Sequence, residues 1–365
     1  MYDMSKIITV FSHKGGIGKT TFCYNISYEL ASRDKKVLVI DGDSQMNLTA
    51  CLHGLSTNVE YVVENGEKWI ETLREYKSFE SYLKEKEVIP VAEKDVFPKE
   101  IFRRNLTNVI NKKNELELNL PIKSKSVCVD ILGSSKDFFK VESDLQQFAG
   151  VEDRPRKFQK ALREISANYD FTIIDTSPSA NSTMNGLLVF SADYLIVPAA
   201  PTFFSLQAMD NLKSIWLNWE KRVHEARLGY GFKIDCKFLG TVFQMARRYA
   251  NDDSKFAKHA DDWMKQINDS AKRSQVSFFS DNKIDDKEFS DIFGLKNNPF
   301  IIEKCCDFTQ RLRSQSDRLG VPILALGEIK NDSNLKFINL KQYREVMKDT
   351  KESYKNIADG LLKLL

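Results

Sequence analysis

Residues 11–25 read FSHKGGIGKTTFCYN and follow the apolar run KIITVF without a break. No other stretch constrains the fold as strongly. Gly15, Gly16 and Gly18 free the backbone to turn its N–H groups inward, and Lys19, Thr20 and Thr21 close the run. Placed between a strand and a helix, such a loop curls around phosphate oxygens and points the helix N-terminus at the anion. Lys14, Gly15, Gly16, Ile17, Gly18, Lys19, Thr20 and Thr21, with Asp41 from the next strand, are therefore the candidate nucleotide-binding residues. Lys19 is placed to reach the β- and γ-phosphates, and the Thr20 hydroxyl to ligate Mg²⁺. A phosphate loop alone does not explain a second lysine, Lys14, directly before the glycines.

The rest of the chain supplies the frame such a loop needs. Residues 6–11 read as a buried strand, 20–33 as a helix, and the run from Val37 to Ile40 as a strand ending in Asp41. Short connections in that order indicate a parallel βαβ unit. The rhythm resumes at 127 with SVCVDIL, the amphipathic helix FQKALREISANYD, and the strands in FTIIDTSPS and ADYLIVPAAP. A helix over 205–227 and the strand KFLGTVFQ follow. Residues 301–319 read as a helix, VPILAL as a last strand, and 341–365 as a closing helix. The expected fold is α/β, a mostly parallel twisted sheet flanked by helices, in a single domain over 1–365. Two segments depart from that rhythm: a Lys/Glu-rich, mostly helical insertion at about 55–126, and a polar insertion at about 247–298, helical at first and then loop-like.

Two aspartate-bearing segments complete the triphosphate site. VIDGDSQMN places Asp41 and Asp43 at the carboxyl end of the second strand, the end where open α/β sheets bind ligands. A carboxylate there can orient water opposite the γ-phosphate, or hold metal-bound water. FTIIDTSPS ends an apolar strand in Asp175, placed to hold Mg²⁺ through water. Each segment alone is an ordinary turn; their order after the glycine loop is the specific signal.

Bulk properties exclude other classes. The chain has 365 residues, 54 basic and 51 acidic, for a net charge of +3. So near a balance gives no global signal for nucleic acid, and a DNA-binding surface has to be a local patch. The six cysteines form no CxxC pair and no Cys/His cluster with zinc spacing, which fits a reducing compartment. No run approaches the ~20 apolar residues of a membrane span, and no signal peptide is evident. A cytoplasmic location is expected, on the nucleoid when DNA is bound.

The segments KGGIGKTT, DGDSQMN and YDFTIIDTSPS, with NGLLVFSADYLIVPAAPTFFSLQAMDNL after them, resemble the ParA/MinD-type ATPases that carry a deviant Walker A loop. The resemblance covers residues 6–54, 127–243 and the tail from 300, and is best to the ParA partition branch. It implies a P-loop NTPase fold, ATP with Mg²⁺, and a homodimer closed across two nucleotides. Lys14 would be the signature lysine that reaches the partner's phosphates, Asp43 would position the attacking water, and Asp175 would serve the metal. The resemblance also implies a ParB-like activating protein and nonspecific DNA binding by the ATP state. Ser44 stands where the family has proline, Met46 where it has glycine, and Thr176-Ser177 where it often has x-Pro.

Candidate DNA contacts are Lys304, Arg311 and Arg318, seven residues apart on the expected 301–319 helix, and Arg247 and Arg248. The tail YKNIADGLLKLL has few basic residues for an interfacial membrane helix, so core packing of Ile357, Leu361 and Leu365 is expected instead. No paired cysteines or CxxC support electron transfer. A second reading remains: a nucleotide-switched regulatory or assembly ATPase whose insertions dock a dedicated protein, without DNA.

Overall fold

The computed structural model describes residues 5–53, 74–92, 95, 97–106, 126–135, 138–148, 153–223, 231–246, 248–249, 252–278, 284–294, 300–307, 310–326 and 343–365. Its strands are β1 (Lys6–Val10), β2 (Val37–Gly42), β3 (Phe102–Asn105), β4 (Cys128–Leu132), β5 (Phe171–Thr176), β6 (Tyr194–Ala199), β7 (Lys237–Ala246), β8 (Arg248–Tyr249), β9 (Asp252–Phe256) and β10 (Ile301–Cys306). Its helices are α1 (Lys19–Ala31), α2 (Asn47–His53), α3 (Phe79–Glu85), α4 (Phe138–Phe148), α5 (Arg154–Ser166), α6 (Thr183–Ser191), α7 (Phe203–Arg222), α8 (Lys258–Phe278), α9 (Asp286–Phe293), α10 (Gln310–Leu319), α11 (Ile323–Leu326) and α12 (Arg344–Leu362).

Among the described residues, eight strands form one sheet in the order β10-β7-β6-β1-β5-β2-β4-β3. Every pairing in it is parallel except β3 with β4. The inner strands are continuous apolar runs: Ile7, Ile8 and Val10 in β1, and Val37 to Ile40 in β2, are all buried. Strands covered on both faces read this way, because neither side meets water. Helix α1 packs with α11 and α12, while α6 packs with α4, α5 and α7. Register is what builds the site. Across β2 and β5, Asp41 stands beside Asp175, and across β1 and β5, Val10 stands beside the same Asp175. The glycine loop and two of the three aspartates therefore leave the sheet at one point.

Four expectations change. Residues 301–306 are a strand, β10, and only 310–319 are helical. Ile301, Ile302 and Cys305 are buried where β10 pairs with the β7 edge, so this run contributes to the sheet rather than to an amphipathic helix. The run VPILAL is no strand: Ile323 to Leu326 turn as helix α11 and pack beside α1, with Leu324 N donating to Asn25 Oδ1 at 3.1 Å. The described part of 55–126 includes β3, which adds an antiparallel edge strand, as well as helix α3. The described part of 247–298 opens with the antiparallel β8–β9 pair rather than a helix, runs on as the helix α8, and holds a second helix, α9, in the half expected to be loop-like.

The closing helix forms as expected. Tyr354, Ile357, Ala358 and Leu361 are buried, with Tyr354 against Phe22 of α1. Its apolar face is thus occupied by the core. Among the described residues no helix is long and apolar enough to cross a membrane.

Candidate nucleotide and magnesium site

The loop takes the shape its glycines allow. Gly16 and Gly18 have φ of +74° and +87°, the left-handed region that costs other L-residues ~1–2 kcal/mol. Gly18 is also the N-cap of α1, with Phe22 N donating to its carbonyl at 2.8 Å. A Cβ on Gly18 would lie 2.5 Å from Gln244 Oε1, and Gln244 Nε2 donates to Gly18 O at 3.2 Å. Gln244, buried near the end of β7, thus closes the loop from the side. Its sequence signal is a polar residue in the apolar strand TVFQMA; Gln244 was not among the expected site residues.

The two lysines face different ways. Lys19 is 7% exposed, and its Nζ is 3.4 Å from Lys14 O, curled back under the loop. Burial lowers its pKa, and the charges of Asp175 and Asp43 oppose that shift. Lys14 leaves the loop in the other direction. Its Nζ donates to Thr202 Oγ1 at 3.1 Å and lies 5.2 Å from the centre of the Phe204 ring. Thr202 is the N-cap of α7, and Phe203 and Phe204 on its first turn are 54% and 63% exposed. Partial burial lowers the Lys14 pKa as well.

Below the loop lies a concentration of acid. Asp175 accepts from the Thr20 hydroxyl at 2.7 Å and is fully buried. Its pKa is pushed up to about 7, first by desolvation and then by the neighbouring charge of Asp41. Asp41 is also fully buried and raised to about 6, again chiefly by desolvation. Both Asp41 oxygens are taken: Oδ1 accepts from Asp43 N at 3.1 Å, and Oδ2 accepts from Thr49 N and Oγ1 at 2.8 and 2.6 Å. Asp43 caps its own turn through Gln45 N, at 2.9 Å. Met46, where the resembling family has glycine, sits at φ +56°. Thr176, in the x-Pro position, donates its hydroxyl to Val10 O at 2.7 Å and ties β5 to β1 at the mouth of the site.

The donor set suits a hard divalent cation. Thr20 and Asp175 offer a hydroxyl and a carboxylate side by side. Magnesium is held in this manner, through one or two protein oxygens with phosphates and waters completing the shell.

The DNA candidates do not form one stripe. Lys304 lies on β10, where its Nζ pairs with Asp261 at 3.1 Å and sits over the Phe256 ring. It therefore shares no helical face with Arg311 and Arg318, which lie on α10. Arg248 begins β8, and Arg247 lies outside the described residues.

A family model described as AAA domain matches residues 5–226. The chromosome partitioning protein ParA of Caulobacter vibrioides is 27% identical over 210 residues, 57% of this chain and 60% of that protein. An uncharacterised protein of Methanocaldococcus jannaschii is 27% identical over 237 residues, 65% of this chain and 72% of that one. Among solved structures, pNOB8 ParA bound to nonspecific DNA has a TM-score of 0.55 at 19% identity, over 99% of this chain and 98% of that one. An ATP complex of Cyanothece McdA has a TM-score of 0.54 at 14% identity, over 98% and 97%. At these identities the structural likeness speaks to the fold. The matched family model spans well over half of the chain and takes in the loop, all three aspartates and the first turns of α7, so the chain belongs to this AAA domain family, as a ParA-like P-loop ATPase.

Proposed function

We propose that this ATPase is a nucleotide-gated switch that dimerises across two ATP molecules to segregate DNA or position cargo. The observation that carries the reading is the divergence of the two lysines. Lys19 is folded under its own loop, while Lys14 points out of it toward the partly exposed first turn of α7. One lysine suits phosphate in cis and the other suits phosphate bound by a second copy. A cation supplied in trans offsets charge on the transferred phosphoryl group, as an arginine finger does, and makes the dimer depend on the triphosphate.

In this mechanism the oxygen of a water attacks the γ-phosphorus as the bond to the β–γ bridging oxygen breaks, giving ADP and inorganic phosphate. Lys19 and the backbone N–H groups of 15–20 hold the phosphates. Asp43 orients the water. Thr20 and Asp175 would hold Mg²⁺, which would supply neutralisation of the charge on the phosphates. Asp41, committed to Thr49 and to the Asp43 amide, shapes the loop rather than touching the nucleotide.

DNA binding by the ATP dimer follows the relatives: one is a chromosome partitioning protein, and one solved neighbour is bound to nonspecific DNA. Arg311 and Arg318, one heptad apart on α10, are the favoured contacts, with Arg248 as a second patch; Lys304 already serves Asp261. A ParB-like protein would stimulate hydrolysis and release the dimer, and the ATP state would reside on the nucleoid.

The test is sedimentation of the purified protein with ADP and with ATP, each with and without a DNA duplex, across a salt series. ATP-dependent dimers that retain DNA at low salt and lose it at moderate salt are expected, since phosphate contacts are strongly salt-dependent. ATP dimers that ignore DNA at every salt concentration would leave the alternative, an assembly switch docking a protein partner. A monomer in ATP would overturn the dimer reading.

A further inference from the structure

The buried hydroxyl of Thr49 is the most connected group near the site that the mechanism above does not use. It donates to Asp41 Oδ2 at 2.6 Å and accepts from Ser134 N at 2.8 Å. The Thr49 amide donates to the same Asp41 oxygen at 2.8 Å, and the other Asp41 oxygen accepts from the amide of Asp43 at 3.1 Å. Thr49 and Asp41 are wholly buried, and Ser134 and Asp43 nearly so. A hydroxyl has one proton to give and lone pairs to receive, so Thr49 can bridge a carboxylate and an amide at once. The bridge joins three pieces of chain: the start of α2, the end of β2 that carries Asp43, and the turn after β4.

That turn is also the seat of α3. Phe79 N donates to Gly133 O at 2.9 Å, Ser78 bridges Gly133 in parallel register, and Ser135 Oγ donates to Glu80. Thr49 packs directly on the same turn: a Cβ on Gly133 would lie 3.1 Å from its Cγ2 and 3.2 Å from its Oγ1. A continuous run of hydrogen bonds therefore leads from α3, through Gly133 and Ser134, to Thr49, Asp41 and the backbone of Asp43.

We propose that Thr49 is a positioning residue for ATP hydrolysis, setting the place of Asp43 through Asp41, and that the Gly133–Ser135 turn beneath α3 is the point from which this alignment is controlled. Thr49 is wholly buried and acts by denying the Asp43 loop other positions. A protein that binds α3 and shifts this turn would change turnover without touching the phosphate loop. The proposal rests on Asp43 being the residue that orients the attacking water.

Steady-state kinetics of Thr49→Val, Thr49→Ser, Gly133→Ala and Asp43→Ala test it. Thr49→Val keeps the volume and loses the bridge, so kcat is expected to fall about tenfold with KM for ATP within about twofold. Thr49→Ser keeps the hydroxyl and should stay within about threefold of the unmodified rate. Gly133→Ala presses on Thr49 from the turn and should lower kcat while leaving KM in place. Unchanged kcat in Thr49→Val overturns the proposal, as does equal damage in Thr49→Ser, which would make the side chain's volume rather than its hydroxyl the requirement. If Thr49→Val does not fold, Gly133→Ala decides, and its unchanged kcat overturns the proposal. A normal rate in Asp43→Ala would instead remove the underlying reading of Asp43, a separate failure.

Discussion

Lys14 Nζ donates to Thr202 Oγ1 at 3.1 Å, a bond between residues 188 apart in the chain. The lysine is thereby parked on the N-cap of α7, with its charge over Phe204. To reach a phosphate on another copy it has to leave that hydroxyl. Replacing Lys14 with Ala is expected to leave ATP affinity within a few fold while turnover falls on the order of 10³-fold, the scale of a lost arginine finger. Nucleotide binding by fluorescence, beside sedimentation in ATP, separates the two effects. Unaltered ATP-dependent dimers and turnover would refute a role across the interface.

Lys19→Ala should behave differently. The ammonium is nearly buried and lies against the Lys14 carbonyl at the base of the loop. Loss of its charge-assisted bonds is worth about 3 kcal/mol, on the order of a hundredfold in ATP affinity. Isothermal titration with ATP reads this directly, and an affinity near that of the unmodified protein would exclude Lys19 from phosphate binding.

Asp43→Ala should uncouple binding from chemistry. ATP is expected to bind, hydrolysis to slow by roughly 10²-fold, and dimers to accumulate. Phosphate release measured alongside sedimentation tests the pairing of slow turnover with persistent dimers; fast turnover would remove Asp43 from the mechanism.

Gly18→Ala probes the loop's backbone. The φ of +87° makes the substitution cost about 1–2 kcal/mol whatever the space. The contact with Gln244 Oε1 is the softer part, because that side chain can swing aside. Gly18→Ala should therefore weaken ATP binding by roughly 5- to 30-fold, and the double variant with Gln244→Ala should not recover it. Full recovery would show that the cause is the contact and not the backbone angle.

The acid cluster makes stability fall with pH. Asp175, with a pKa of about 7, holds its proton in the folded protein well above the ordinary carboxylate value of 3.8. Between those values the folded state binds more protons than the unfolded one, so this contribution is lost as pH rises and is gone above about pH 7. Asp41, at about 6, acts in the same direction. Thermal melting without nucleotide or Mg²⁺ should give a lower Tm at pH 8 than at pH 6, with a smaller drop in Asp175→Asn. An equal drop in the variant would assign the pH dependence elsewhere.

Much of this site is legible along the chain because its chemistry is local. The glycines, Lys19 and Thr20 lie within six residues, and the strand rhythm puts Asp41 and Asp175 at strand ends. Periodicity failed where burial overrides it. The run 301–306 pairs with β7 and becomes a strand, and VPILAL, with Leu324 bonded to Asn25, becomes a short helix. A basic spacing of seven then lost its meaning for Lys304, whose charge is spent on Asp261.

Residue type and short spacing suffice to place a triphosphate loop at the mouth of an α/β sheet with a second lysine beside it. Where that lysine goes, what closes Gly18, and which groups the Asp43 loop leans on depend on long-range packing. Thr202, Gln244 and Ser134 are 188, 226 and 85 positions from Lys14, Gly18 and Thr49, and no local pattern specifies partners brought together by parallel register and helix packing.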